Sequence, residues 1–216
     1  MADKSFWSDK KDRVWLKNFW YYYRVHVLVS IAVILVLVFT VRDCMLRIEP
    51  DISIDFIASS YITDEASTKI EEYFQPIIKD ADGEDGQVVS FVQHNVIDTE
   101  NGGDPQMAMA IQQAIMLELA VGESYLYILD DTHFGHFKDN EILLDLSEVT
   151  DLPEGTYSID LQDNKLFSEL TGVSYTEPLH LCVRVITQSI KEKDLPEMQT
   201  HQNNAISILN EFYKNE

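Results

Sequence analysis

The segment Asp130-Asp131-Thr132-His133-Phe134-Gly135-His136 places two carboxylates and two imidazoles within seven residues. Carboxylate oxygen and imidazole nitrogen are donor types that hold zinc and similar divalent ions, and a neutral imidazole can also relay protons. Asp130, Asp131, His133 and His136 are therefore the expected ligand-binding residues. Their place in the chain adds weight. The apolar run 125–129 just before them reads as a strand, and open α/β sheets set their ligands past the C-terminal ends of parallel strands. Two rings spaced His-x-x-His point one way only on a helix, and Gly135 favours a loop. Whether a metal binds there is left open.

Two further groupings compete with it. The acidic stretch DADGEDG, 80–86, starts like a calcium loop with Asp80, Asp82 and Glu84, but the sixth and twelfth places hold Asp85 and Phe91 instead of Gly and a bidentate acid. It reads as an exposed turn. His180, Cys182 and Arg184 alternate along an expected strand and read as its wetter face. The chain has no nucleophile elbow, no phosphate-binding glycine loop, no dinucleotide fingerprint and no Cys-x-x-Cys. Accordingly no catalytic residue, enzyme activity or cofactor is expected, and Cys44 and Cys182 are not expected to pair with each other.

The elements that must position these residues follow from periodicity and punctuation. Residues 51–58, DISIDFIA, alternate and then turn apolar, which predicts a strand. Thr63 caps a helix whose Ile70, Tyr73, Phe74, Ile77 and Ile78 form one stripe, with Pro76 ending it early. A strand follows at 88–96. Asp104 and Pro105 open a helix that Gly122 stops, and its few polar residues predict cover on most sides. The strand at 125–129 comes next. Residues 133–149 read mainly as loop with room for one helical turn, followed by a short strand at 157–161, a short helix at 164–170, a strand of alternating pattern at 179–186 and a closing amphipathic helix. The rhythm predicts a mostly parallel three-layer α/β domain with an antiparallel edge strand.

Residues 25–41 carry no formal charge, and 19–23 add aromatic rings suited to an interface. A hydrocarbon core of roughly 30 Å takes about 20 apolar helical residues, so a single membrane crossing is expected over 25–43. No small-residue cleavage site follows it, which predicts a retained signal anchor. Residues 1–24 hold six Lys or Arg and 42–60 hold two, so the basic and aromatic tail 1–24 is expected in the cytosol and the domain 51–216, after a linker 44–50, outside.

The first fifty residues hold five acids and eight bases of the chain's 37 and 16, which leaves 32 acids and 8 bases beyond them, a formal net charge of −24. Such a surface repels polyanions and excludes nucleic acid as a partner, while basic proteins, cations and divalent metals stay compatible.

The opening DISIDF strand, the helix ending LAVGES that runs straight into YLYILDD, and the later YSIDL and PLHLCVRVIT strands together resemble one lobe of type 2 periplasmic solute-binding proteins. The anchor KNFWYYYRVHV is similar to the start of small single-pass bacterial membrane proteins with such an outer lobe. The likeness implies the fold. A complete clamp needs two lobes, and the 166 residues after position 50 make one. The expected function is a membrane-anchored extracytoplasmic binding domain of an envelope assembly, partnered by another protein or a second copy. The alternative is a single-lobe receptor for a small solute or cation.

Overall fold

In the computed structural model the residues described are 10–45, 50–81, 83, 86–97, 103–121, 124–186 and 195–215. The chain divides into two units, Met1–Ile48 and Glu49–Glu216. Among its described residues the first is a helix, α1 (Lys10–Met45), 36 residues long. Within it Phe19–Arg42 is long and apolar enough to cross a membrane, and its side chains are almost all exposed. Among the described residues it alone passes that test. The helix continues without a break from the basic segment into the apolar one, so the expected boundary at residue 25 is not a change of structure.

The second unit is α/β. Its strands are β1 (Ile52–Ala58), β2 (Val89–Asn95), β3 (Leu126–Leu129), β4 (Ile159–Asp160) and β5 (His180–Val183), in the spatial order β2-β1-β3-β5-β4. Five helices accompany them: α2 (Asp64–Phe74), α3 (Pro105–Val121), α4 (Asp131–Asp139), α5 (Lys165–Thr171) and α6 (Leu195–Lys214). β1 pairs in parallel with β2 and β3, whereas β5 runs antiparallel to β3 and to β4. The sheet is therefore mixed, with a parallel half and an antiparallel half. β5, expected at an edge, lies inside the sheet, because the two-residue β4 occupies that edge.

Alternation along β1 sorts the layers. Ile52, Ile54, Phe56 and Ala58 join the main core with Ile70 and Phe74 of α2, Phe167 of α5 and Ile208, Leu209 and Phe212 of α6. Ile57 points the other way, into a smaller cluster with Tyr127, Leu129, Cys182, Ile115 of α3 and Phe137 of α4. Helices thus cover both faces, which gives the three expected layers. Cys182 is fully buried there, so the expected wet face of β5 is in fact covered by α3 and α4.

Local chemistry sets the element ends. The Thr63 hydroxyl accepts from the Ala66 N–H at 3.3 Å, a cap worth about 1 kcal/mol, and α2 stops at Phe74, just before Pro76. The Asn164 side chain accepts from Phe167 N–H and donates to Phe212 C=O, so one residue both starts α5 and ties it to α6. Gly172 ends α5 in the left-handed region with φ 69°. Asn204 of α6 is bonded to Lys79 N–H, Lys79 C=O and Asp51 C=O, and the Asp51 carboxylate accepts from Ala81 and Val88 N–H. These bonds sew the last helix to the first strand.

Two expectations fail. α3 was expected to be covered on most sides, yet only Ala108, Ile111, Ile115, Glu118 and Leu119 turn toward the sheet, while Met107, Met109, Met116 and Leu117 face outward. Among the described residues no second layer lies over them. The stretch after β3, expected as loop around Gly135, is the helix α4, capped by Asp130. The Asp130 cap and its first-turn Asp131 outweigh one glycine, which costs about 1 kcal/mol in a helix interior. Gly122, the expected stop of α3, and Asp82, Glu84 and Asp85 of the acidic turn lie outside the described residues; within that turn Asp80 accepts from Gly83 N–H at 2.6 Å.

Candidate functional site

Asp130 sits at the end of β3, where parallel pairing with β1 stops, and its carboxylate accepts from the His133 N–H at 2.9 Å and the His133 Nδ1–H at 2.8 Å. Burial pushes its pKa upward, but the bonds from His133 together outweigh this and hold the carboxyl below its ordinary range. Asp131 turns away to His180 of β5, its Oδ1 accepting from Nε2–H at 2.7 Å. The other ring nitrogen of His180 then accepts the Ser158 hydroxyl at 3.1 Å, and Phe134 stacks on the ring at 4.2 Å. His136 is exposed on the next turn. Asp130 and His133 form one pair, Asp131 and His180 another, and the four expected ligands do not share a single three-donor grouping.

Asp131, His180 and Ser158 form a carboxylate–imidazole–hydroxyl chain, the residue types of an acyl-transfer triad. In such a triad the carboxylate is buried, so that it fixes the ring and stabilises its charge. The Asp131 side chain is instead 70% exposed, and water competes for its bond to His180. The geometry holds the His180 ring in place more than it activates Ser158.

A second polar cluster lies inside the domain, between sheet and α3. Asp55 occupies the middle of β1 on the side facing α3 and is 1% exposed. In the β1–β2 register His94 pairs with Ile57, which puts its ring on that same side, and Glu118 reaches in from α3. His94 Nε2 and Glu118 Oε2 are 2.7 Å apart. Two serines support the carboxylates: Ser53 donates to Asp55 Oδ1 at 3.1 Å and Ser124 to Glu118 Oε1 at 3.2 Å. Asp55 Oδ2 is buried and has no hydrogen-bond partner among the described residues. Burial first, and the Glu118 charge second, push Asp55 up to about 7. Donor atoms of Asp55, His94 and Glu118 all lie within 4.8 Å of one another, the one such grouping among the described residues.

Nearby, Arg184 donates to Leu119 C=O at 3.0 Å and to the Tyr127 hydroxyl at 3.4 Å, so it anchors the end of α3. Burial raises the Tyr127 hydroxyl above its ordinary range, which keeps it neutral.

Sequence reasoning passed over this cluster because its members come from three elements far apart in the chain. One signal was available: in a strand buried on both faces, Asp55 must lie in the core, and a buried carboxylate demands partners. No family model, no curated protein and no solved structure matches this chain, and its function is read from these sites alone.

Proposed function

We propose that the protein is a membrane-anchored binding module: α1 holds the acidic domain outside the cell, and the outward face of α3 docks a second protein of the envelope. What carries this reading is the set of exposed apolar side chains on α3: Met109 and Met116 lie one above the other at i and i+7 with Leu117 beside them, 65% exposed, and Met107 adds a further exposed apolar side chain on the other flank. Methionine adapts to varied apolar partners, which suits a contact surface. The formal charge of −24 beyond residue 50 selects a partner with a basic rim around an apolar centre. A domain built as a single lobe, like one wall of a type 2 solute-binding protein, leaves its companion wall to that partner.

The test is a photoreactive side chain placed at Met109 or Met116 in the full chain within native membranes, with Glu169 on α5, across the sheet, as control. A discrete adduct to one basic protein, seen at both α3 positions and absent from the control, supports the reading. Adducts only to lipid, only to a second copy of the chain, or to nothing would overturn it.

A further inference from the structure

We propose that Asp55, His94 and Glu118 form a binding site for a divalent transition-metal ion of the zinc class. This site is independent of the docking face and stands or falls without it.

The donor set is one imidazole nitrogen and two carboxylate oxygens. Zinc is held by such nitrogen and oxygen donors at about 2.0–2.2 Å, which puts neighbouring donors about 3.4 Å apart on a tetrahedral ion. Three protein donors within 4.8 Å need only small side-chain rotations to reach that spacing, and the 2.7 Å His94–Glu118 contact would open slightly as the ion replaces the shared proton. Two carboxylates against a doubly charged ion with a neutral imidazole leave the site uncharged, the condition a buried site requires.

The support around the donors has the same sense. Ser53 binds Asp55 Oδ1, and Ser124 binds Glu118 Oε1 while also lying beside Asp55, so the two serines hold both carboxylates in place with Glu118 Oε2 against His94. Outer bonds of this kind orient metal ligands. Asp55 Oδ2 is the telling atom. A buried carboxylate oxygen without a partner is destabilising, and a cation at that point removes the penalty. An imidazole donor and three protein ligands favour zinc, cobalt or nickel over magnesium and calcium, which require more oxygens. An ion here would also pin α3, through Glu118, to β1 and β2.

The experiment uses the untagged full chain in detergent, stripped with chelator, then loaded with Zn²⁺ or Co²⁺ and dialysed. Expected are one bound ion per chain, visible absorption bands of low-symmetry Co²⁺, and a rise in melting temperature that Ca²⁺ and Mg²⁺ do not give. Asp55→Asn, His94→Gln and Glu118→Gln should each weaken Zn²⁺ binding at least tenfold and remove the cobalt bands. Asp55→Asn keeps the shape of the side chain and removes a buried charge, so in chelator it should melt no lower than the parent. Metal uptake equal in parent and variants would mean adventitious binding by surface acids and would overturn the assignment, as would no uptake by the parent.

Discussion

Asp55 shows how far a single carboxyl can steer the behaviour of the domain. Its pKa is lifted to about 7 by burial and by Glu118, with His94, Ser53 and Ser124 as its other polar neighbours. The folded chain therefore holds a proton that the unfolded chain has released. Its contribution to stability is present at low pH, is lost as pH rises from about 4 to about 7, and is level above that. In chelator, Asp55→Asn should melt above the parent by a margin that widens over that range; a constant margin would contradict the assignment. Asp130 has the opposite sign, since it is held below its ordinary range and its contribution fades only as pH falls through the folded value. Asn204 offers a purely structural contrast. Asn204→Ala leaves Lys79 N–H and Lys79 C=O without their Asn204 partner, while Asp51 C=O keeps its bond to His201, and a cost of about 2–3 kcal/mol in chemical unfolding is expected.

The helices and strands were legible to different degrees, and the reasons are physical. β1, β2 and α2 were readable because their signals are local: alternation in DISIDFIA, the Thr63 cap, Pro76 as a stop. α4 was not, because one glycine was weighted above a cap whose strength depends on where the preceding strand ends. The outward side of α3 was legible only in part: its methionines stand out as a possible contact face, but core packing is the commoner fate of such residues. Periodicity shows that a helix has apolar residues all round but not how many layers lie over it. The strand-end residues Asp130, Asp131, His133 and His136 were found in sequence, yet their pairing with His180 and Ser158 depends on β5 lying beside β3. On α3, Met109→Lys should change stability by less than about 0.5 kcal/mol, as for an exposed position, while abolishing the photoadduct. After α4 the chain takes φ 56° at Glu141, a left-handed conformation that a side chain resists. Glu141→Gly should raise the unfolding free energy by up to about 1 kcal/mol, and a loss there would count against the turn.

At the scale of the whole molecule, charge and helix α1 act together. Six basic residues stand before the apolar segment and two after it, a bias that predicts an N-terminus inside; on the proposed topology protease added to intact cells should cut within 51–216 and leave the tail. Protection of the acidic domain would reverse the topology. Residue 51 and residue 204 are joined by a hydrogen bond, and the side chains of Ile208, Leu209 and Phe212 complete the core that β1 begins. On a ribosome the earliest part of this domain to be made must therefore wait for almost the last. Until then the apolar face of β1 that α6 will cover stays open, although its edges pair as soon as β2 and β3 are made. That face waits for roughly the time that 150 residues take to synthesise, on the order of ten seconds.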